Sequence, residues 1–403
     1  MSKEVGARAQ PVTRPTKERK RIMSRKLRAG IIGVGFIGVV HAEQLRRLGN
    51  VEVVAITDTM DPQKKADALH VPKGYADYRE MIDAENLDCV HVCTPNNSHY
   101  EIVRYAMERG VNVVCEKPMA VTVEEAEKLL AYARERNLIH AMNFMSRFNP
   151  LAYQIREMIK SGELGDVFTI HGGYFQDWLF YDTDYNWRLE PELSGESRAF
   201  ADIGSHWIDL VEFLTGLRVT EVLADFETFR KIRKKPKKAV DTYSNMALRP
   251  EDYEEVPIHT EDYASVLFHF NNGAHASCNI TQVFAGRKNQ LIVAIAGSKC
   301  SVHWDSESSN ELWIGRRDRD NGQLVKDPSI LSPKTAGIVS YPGGHAEGLA
   351  DIFKHNFKQI YKAIELGDAT GLDYATFEDG LREMKLCDKI VQSARERRWV
   401  AVE

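Results

Sequence analysis

The stretch at residues 27–38, LRAGIIGVGFIG, constrains the fold of this chain more than any other feature. Its apolar first half predicts a short strand, and FIGVVHAEQLRRL predicts an amphipathic helix directly after it. Between them, Gly33, Gly35 and Gly38 have the spacing G-x-G-x-x-G, which provides a tight turn, close approach of a pyrophosphate and close helix–strand packing. The phosphates would lie at the helix N-terminus, where free N–H groups favour anions. The motif therefore predicts a dinucleotide site that also includes Phe36 and Ile37.

The next predicted strand, VEVVAITD, ends in Asp58, twenty residues after Gly38. A carboxylate at this position can accept both ribose hydroxyls of NAD, and it repels the 2′-phosphate of NADP. We therefore expect NAD as the cofactor rather than NADP. The alternative is a purely structural strand–turn–helix unit in which Asp58 occurs by chance.

The composition limits the classes of protein to consider. A net charge of −5 gives no reason to expect nucleic acid or an anionic membrane as a partner, and no apolar stretch is long enough to span a membrane. The six cysteines are scattered without a C-x-x-C pair, which favours buried free thiols and a cytoplasmic location. The histidines show no ligand spacing, so no metal site is expected.

With 403 residues, the chain is long enough for two domains. Residues 1–26 are rich in Lys and Arg and predict a disordered basic extension, with a transit peptide or a nucleic-acid arm as alternatives. Residues 27–148 alternate apolar runs with amphipathic helices, which predicts a doubly wound parallel sheet. Residues 149–403 are rich in strand patterns and predict an α/β domain with a large, mostly antiparallel open sheet, including a hairpin at FNNGA.

One part of the second region departs from this pattern. Residues 230–238, RKIRKKPKK, are strongly basic, and residues 251–255, EDYEE, are strongly acidic. We expect a solvated loop or a hairpin excursion here, and a regulatory or oligomer contact is the alternative.

Five motifs together carry a resemblance to a known family: GVGFIG, TPNNSH at residues 94–99, EKP at 116–118, NFMSRFNP at 143–150 and DIGSHWID at 202–209. From residue 27 to the C-terminus the chain resembles the Gfo/Idh/MocA oxidoreductases, the relatives of glucose–fructose oxidoreductase and inositol dehydrogenase. The resemblance implies a Rossmann domain followed by an α/β domain whose open sheet serves as a dimer or tetramer interface.

The predicted catalytic residues are Lys117, Asp202 and His206. Lys117 ends a predicted parallel strand, at the edge where open α/β sheets place their ligand crevice, and it can hydrogen-bond a reacting hydroxyl. Asp202 and His206 are four residues apart, so on a helix they share one face, and an imidazole suits acceptance of a hydroxyl proton. The resemblance implies that His206 is the general base and that Asp202 binds a substrate hydroxyl. A structural core histidine and a surface lysine are the alternatives.

The resemblance extends the cofactor site beyond the glycine motif. It implies that Thr94, Pro95 and Asn96 line the nicotinamide side, with His99 opening the next helix. Glu116 would orient Lys117 or contact the cofactor. The remaining cofactor residues implied are Asn143 and Arg147, and Arg147 would approach cofactor or substrate unless it forms a salt bridge between domains.

A polar and aromatic loop is the candidate substrate site. Gln176, Trp178, Trp187 and Arg188 lie in it, and aromatic faces with interleaved hydrogen-bonding groups suit a pyranose; Trp178 and Trp187 could instead anchor the loop. TQVFAGRKN and YPGGHAEG further resemble the branch with levoglucosan dehydrogenase and glucoside 3-dehydrogenases. That likeness implies that Gln282, Arg287 and His345 approach the sugar.

The chain departs from the family pattern directly before Asp202. Many relatives have a glycine triplet where this chain has SGESRA, which includes Glu196 and Arg198. These two side chains could alter substrate selectivity.

The function expected is an NAD-dependent dehydrogenase that oxidises a ring hydroxyl, at C3 in members of that branch, of a sugar, glycoside or cyclic polyol. Two alternatives stay open. One is an NAD-assisted glycosidase that works by transient oxidation and elimination, and the other is a non-catalytic sugar or nucleotide sensor.

Overall fold

The computed structural model describes residues 25–237 and 249–402. Its first sheet has six strands in the order β3-β2-β1-β4-β5-β6, all parallel, which confirms the predicted doubly wound arrangement. The elements in chain order are β1 (Leu27–Ile32), α1 (Phe36–Arg46), β2 (Val51–Thr57), α2 (Pro62–Ala68), β3 (Lys73–Tyr75), α3 (Tyr78–Ala84), β4 (Cys89–Val92), α4 (His99–Glu108), β5 (Asn112–Cys115), α5 (Val123–Arg136) and β6 (His140–Met142).

Strand β3 was not predicted, because its three residues at the sheet edge carry no apolar pattern. Helix α3 begins after it, where the Asp77 side chain accepts a hydrogen bond from the backbone N–H of Arg79. Such a cap satisfies one of the free N–H groups of the first turn.

The second sheet has nine strands in the order β16-β15-β14-β13-β7-β12-β11-β8-β17. Among the strands that the structure describes in this sheet, only β7 and β12 pair in parallel, so the prediction of a large, mostly antiparallel sheet is confirmed. The elements in chain order are α6 (Pro150–Lys160), β7 (Val167–Phe175), α7 (Pro191–Ser194), α8 (Ser205–Thr215), β8 (Val219–Glu227), β9 (Ile232–Pro236), β10 (Tyr253–Pro257), β11 (Tyr263–Phe270), β12 (His275–Thr281), β13 (Gln290–Gly297), β14 (Ser301–Asp305), β15 (Glu311–Gly315), β16 (Gly322–Val325), α9 (Pro333–Ala336), α10 (Leu349–Leu366), α11 (Phe377–Glu396) and β17 (Val400–Ala401).

Both hairpin expectations are confirmed. At FNNGA, β11 and β12 pair antiparallel around Gly273, whose φ of +85° is a conformation that glycine adopts without strain. The basic and acidic segments form the two-stranded sheet β9–β10, in which Lys234 lies opposite Glu255 and Lys235 opposite Glu254. The pairing of opposite charges explains why two such charged strands can lie side by side. Residues 238–248, which include the last basic position, lie outside the described residues.

The two long C-terminal helices contact the first sheet. Phe357 of α10 packs edge-on against His41 of α1 and His91 of β4, and Phe377 at the start of α11 is buried with the α3–α5 side of the sheet. One buried apolar cluster runs from β1 and β2 into α8, α10 and the second sheet. The two sheets therefore share a continuous core.

The start of the described chain is held in place. Arg25, inside the predicted basic extension, donates to Asp88 over 2.6 Å, while residues 1–24 of that extension lie outside the described residues. Among the helices described, none is both long and apolar enough to cross a bilayer.

Candidate active site

The glycine motif has the geometry that a bound pyrophosphate requires. Gly33 has φ +88°, and a Cβ on Gly38 would lie 2.0 Å from the Gly33 carbonyl oxygen, so neither position accepts a side chain. A Cβ on Gly35 would meet no atom within 4 Å, and Gly35 gives α1 no side-chain cap. The first turn of α1 therefore faces open space with its N–H groups uncapped, which is a cradle for an anion.

Asp58 lies at the end of β2 beside this turn. Its carboxylate accepts hydrogen bonds from the backbone N–H groups of Val34 at 3.2 Å and Met60 at 3.0 Å, and it pairs with Lys65 at 2.8 Å. Burial opposes ionisation of Asp58, but Lys65 and the two amides hold its pKa below the ordinary value. The carboxylate is thus a fixed negative charge next to the pyrophosphate turn.

Lys117 and Asp202 meet directly. Lys117 follows β5 at the carboxyl edge of the first sheet, and its Nζ donates to the Asp202 backbone oxygen at 2.5 Å and to Oδ1 at 2.8 Å. Asp202 lies in a π-helical turn, Phe200–Gly204, that leads into α8. Its Oδ1 also accepts from Arg188 Nε at 3.2 Å, and its Oδ2 accepts from Gln282 Nε2 at 2.8 Å. Burial opposes ionisation, yet Lys117 and Arg188 lower the pKa of Asp202 well below its usual range.

His206 lies in the first turn of α8, between the rings of Phe144 and Tyr174. Burial, and then the positive charge of Lys117, lower its pKa to about 3. Nδ1 is buried and has no hydrogen-bond partner among the residues that the structure describes. The imidazole is therefore neutral at physiological pH and can accept a proton.

Glu116 is held by a buried network of polar side chains that was not predicted from the sequence. His41 Nε2 donates to its Oε1 at 2.9 Å, Asn143 Nδ2 donates to the same oxygen, and Nδ1 of His41 lies 2.9 Å from Nδ1 of His91. Burial raises the pKa of Glu116, but His41 and Asn143 outweigh it and lower the pKa to about 2. The only sequence sign of this network was a histidine on the buried side of a predicted helix and another inside a buried strand.

The network continues into the C-terminal helix α10. Nε2 of His91 lies 3.0 Å from the Tyr361 hydroxyl, and Asn356 Nδ2 donates to Asn143 Oδ1 at 2.9 Å. Glu116 thus lacks the freedom to swing toward substrate, which is consistent with the expectation that it orients its neighbour Lys117.

Residues 94–99 form the turn after β4, at the same sheet edge. Asn96 Nδ2 donates to the carbonyl of Ser194 at 2.9 Å, and the buried His99 lies between the carbonyls of Thr94 and Pro118. Pro95 precedes the short 3-10 turn Asn96–Ser98. This turn therefore connects the first sheet to the segment before Asp202.

Within the described residues, Arg147 forms no hydrogen bond or ion pair with Lys117 or Asp202. Its guanidinium is buried and paired with Asp209 of α8 and with Asp379 of α11, the latter at 3.0 Å. These carboxylates raise the pKa of Arg147 further above its ordinary value, although burial alone would lower it. The geometry is that of the alternative prediction, a salt bridge between distant parts of the chain.

The predicted substrate residues divide into two groups. Arg188 stacks on Trp187 at 4.5 Å from the ring centre, and the indole N–H of Trp178 donates to Gln176 at 2.7 Å. Arg188 and Gln282 reach Asp202, as described above.

Arg287 and His345, which were also predicted as substrate residues, have their contacts elsewhere. Arg287 pairs with Glu307 at 2.9 Å, and His345 lies on an exposed loop with Nδ1 at 3.2 Å from the Gly343 carbonyl oxygen. Gln282 is fully buried, so it contacts other side chains of the chain rather than the open crevice.

Comparison with known proteins identifies the family of this chain. Residues 27–144 match the model of the oxidoreductase family with an NAD-binding Rossmann fold, and residues 153–303 match the GFO/IDH/MocA C-terminal domain. Levoglucosan dehydrogenase of Pseudarthrobacter phenanthrenivorans is 28% identical over 397 residues, 94% of this chain and 98% of that protein. Myo-inositol 2-dehydrogenase of Thermotoga maritima is 28% identical over 201 residues, 49% of this chain and 58% of that protein.

Solved structures show the same fold over nearly the whole chain. An oxidoreductase domain protein from Kribbella flavida superposes with a TM-score of 0.84 at 29% identity, covering 94% of this chain and 99% of that one. Levoglucosan dehydrogenase in complex with NADH and levoglucosan superposes with a TM-score of 0.83 at 25% identity, covering 94% of this chain and 100% of that one. The predicted family, fold and cofactor class are thereby confirmed, and the chain belongs to the Gfo/Idh/MocA family of NAD-binding oxidoreductases.

Proposed function

We propose that this protein is an NAD-dependent dehydrogenase that oxidises a ring hydroxyl of a sugar, glycoside or cyclic polyol. The observation that carries the proposal is the pairing of Lys117 with Asp202 at the carboxyl edge of the NAD-binding sheet, with a neutral, buried His206 close enough for the charges of both to act on it. The open cradle at Gly35 and the fixed carboxylate of Asp58 fit a dinucleotide. When bound, the nicotinamide supplies the hydride acceptor.

The roles of the side chains follow from their hydrogen bonds. Lys117 donates two N–H groups to Asp202, and its third has no acceptor within the described ranges, so it can donate to the substrate hydroxyl oxygen. This donation stabilises negative charge on that oxygen as hydride leaves the adjacent carbon. We assign acceptance of the hydroxyl proton to His206, whose buried imidazole meets the requirement that a general base be unprotonated at the working pH.

The substrate class rests on two supports. In the loop at residues 176–188, Arg188 reaches Asp202 and stacks on Trp187, a pairing of a donor with an aromatic face that suits a pyranose or inositol ring. Relatives over most or half of the chain are named levoglucosan dehydrogenase and myo-inositol 2-dehydrogenase. We place the oxidation at C3 of a pyranose, and identification of the keto-sugar by NMR would test that position.

The first experiment follows NADH fluorescence after mixing the protein and NAD with glucose, levoglucosan, aryl glucosides, xylose and myo-inositol. We expect NADH with one ring type. Lys117→Met and His206→Asn should lower kcat by about 10²–10³-fold, because each removes a group that acts in the transition state. Lys128→Met is the matched control, since Lys128 is exposed on α5.

A chromatographic check for released aglycone accompanies each run. Aglycone without net NADH would contradict the dehydrogenase and favour the NAD-assisted glycosidase. Tight sugar binding with neither product, unchanged in Lys117→Met, would favour the sensor.

We also propose that the open face of the second sheet pairs with another copy of the chain, giving a dimer or tetramer. Leu267 is 42% and Trp313 38% exposed on this face, and Ala294 and Ile292 lie between their strands. A broad sheet face that leaves large apolar side chains in water is typical of a protein–protein interface.

A further inference from the structure

Two sequence features are not used by the proposed reaction: the segment SGESRA in place of a glycine triplet, and the basic run after β8. The structure brings them together at one buried carboxylate. Asp262 Oδ1 pairs with Arg198 of the first feature and, at 2.9 Å, with Arg233 of the second. All three side chains are without solvent exposure. Ion pairs that are buried so completely hold their partners in a fixed geometry, because an unpaired charge there is costly.

Arg198 continues from this ion pair toward the catalytic cluster. Its Nη1 donates to Gln282 Oε1 at 3.3 Å, and Gln282 Nε2 donates to Asp202 Oδ2 at 2.8 Å. Nε of Arg198 donates to Thr260 Oγ1 at 3.1 Å, which fixes the plane of the guanidinium. A chain of buried hydrogen bonds thus joins Asp262 to Asp202.

The chemistry of the two neighbouring side chains determines the orientation of the Gln282 amide in this series of hydrogen bonds. A guanidinium can only donate hydrogen bonds, so Gln282 must turn its oxygen toward Arg198. Its NH₂ group then faces Asp202, where it is a donor to a carboxylate. A donor at that position favours the ionised form of Asp202, whereas an amide oxygen there would favour the protonated form.

Through Arg233, the same carboxylate also anchors the β9–β10 hairpin to the loop at residues 176–188, the substrate loop. Arg233 of β9 donates to the carbonyls of Leu179 at 2.9 Å and Tyr181 at 2.8 Å. On the same strand, Lys235 pairs with Glu190 at 2.9 Å. The hairpin therefore holds both ends of the loop that carries Trp187 and Arg188.

We propose that Arg198 is a positioning residue: it fixes the amide orientation of Gln282 so that the NH₂ group donates to Asp202 and holds that carboxylate beside Lys117, and through Asp262 it ties this orientation to the hairpin that holds the substrate loop. The inference rests on the proposed function in one respect, that Asp202 belongs to the catalytic cluster. Gln282 is then part of the support of Asp202 rather than a sugar ligand.

Arg198→Met tests the proposal with the holoenzyme and the panel sugar that the wild type oxidises fastest. Asp262 keeps Arg233 and the Arg230 backbone N–H at 2.9 Å, so the fold has a remaining partner for that charge. Gln282 becomes free to turn its oxygen toward Asp202. We expect kcat to fall about tenfold with little change in KM, because Asp202 no longer holds Lys117 in one position.

Two further variants separate positioning from general destabilisation. Arg198→Lys remains a donor only, so kcat should stay near that of the wild type. Arg156→Met removes another ion pair of the same domain, with Asp373 at 3.2 Å, and should change thermal stability without lowering kcat. If Arg198→Met lowers stability but leaves kcat unchanged, the proposal is wrong.

A measurement without substrate distinguishes this inference from the proposed function. In protein labelled with ¹³C at aspartate carboxyl carbons, the Asp202 resonance is assigned from the Asp202→Asn spectrum and titrated in wild type and Arg198→Met. A higher pKa in the variant supports positioning even if no panel sugar is oxidised, and an equal pKa overturns it.

Gln282→Glu is the second route if Arg198→Met does not fold, because the introduced carboxylate would still pair with Arg198. Two carboxylates would then face each other over the present 2.8 Å contact, and a new ionisation should appear in the Asp202 titration. An unchanged titration would contradict the proposal.

Discussion

At the scale of single residues, Asp58 forms an ion pair with Lys65, and this pair affects the choice between NAD and NADP. The carboxylate lies where the adenosine ribose is bound in dinucleotide folds, and Lys65 approaches it to 2.8 Å. Removing the carboxylate would therefore do more than delete a ribose acceptor. It would release a cation at the position of the 2′-phosphate of NADP.

We predict that Asp58→Ser weakens NAD binding and raises the affinity for NADP about tenfold, the worth of one charge-assisted hydrogen bond. Isothermal titration of both cofactors is the measurement. The double variant Asp58→Ser with Lys65→Met is the control and should lose the NADP gain. Tighter NADP than NAD binding by the wild type would refute the role given to Asp58.

At the residue level, the position of Lys117 at the carboxyl edge of the first sheet could be predicted, because parallel strands place their carboxyl ends together. Its contact with Asp202 did not follow from local spacing, since Asp202 lies in the turn before α8. The His41–His91–Tyr361 network was not predictable, since its members come from three separate elements and only their packing makes them neighbours.

At the scale of elements, the glycine turn offers a matched pair of substitutions. A Cβ on Gly38 would overlap the Gly33 carbonyl oxygen, whereas a Cβ on Gly35 would point into open space at φ −73°. We predict that Gly38→Ala costs about 1–3 kcal/mol of stability or more, because backbone must move. Gly35→Ala should stay within about 0.5 kcal/mol of wild type and lose NAD affinity.

Thermal unfolding and NAD titration of both variants check this. Equal NAD affinity in Gly35→Ala and wild type would show that the pyrophosphate does not approach this backbone.

The contact between α8 and α11 contains a buried acid with a pH signature. Burial, Asp209 and Glu212 raise the pKa of Glu383 well above its usual range, and its Oε2 has no hydrogen-bond partner in the described chain. In the folded protein Glu383 therefore stays protonated at pH values above about 4.3, where the unfolded chain releases the proton. The free energy of unfolding consequently falls as the pH rises from about 4.3 toward the pKa of Glu383 in the folded protein.

We predict that Glu383→Gln removes this loss, so its melting temperature rises relative to wild type more at pH 8 than at pH 5. Scanning fluorimetry across that range is sufficient. Glu396→Gln, on the exposed end of the same helix, should show no such rise. A constant difference between Glu383→Gln and wild type at both pH values would contradict the assignment.

Element prediction was accurate for segments with strong periodicity and poor for short ones. The alternation of β1 to α5 and the FNNGA hairpin follow from local pattern. Strands β3, β15 and β16 have three to five residues, too few for a clear period, and their pairing depends on neighbours distant in sequence. The π-helical turn at Asp202 likewise has no local sequence sign.

At the scale of the whole molecule, the open face of the second sheet is the proposed interface between copies of the chain, and this proposal can be tested by mutation. Leu267 lies on β11 and Trp313 on β15, so the two mark a wide part of one face. Replacing Leu267 by Lys should convert the dimer or tetramer to monomer in light scattering, because a buried unpaired charge opposes association. Lys128→Glu, on the first domain, should leave the mass unchanged. A wild type that is monomeric at micromolar concentration would refute the interface.

Helix α10 packs against the first sheet but lies near the C-terminal end of the sequence, and this has a consequence for folding during synthesis. A polypeptide leaves the ribosome N-terminus first, so the strands of the first sheet emerge long before residue 349 is translated. Until Phe353, Phe357 and Tyr361 arrive, His41 and His91 lack the aromatic side chains that pack against them on that side of the sheet. During synthesis, the first sheet and its helices therefore expose apolar surface, which chaperones or proteases can bind, until α10 has been translated. A premature stop codon before α10 would thus deprive the cell of the nucleotide-binding half as well as the C-terminal helices.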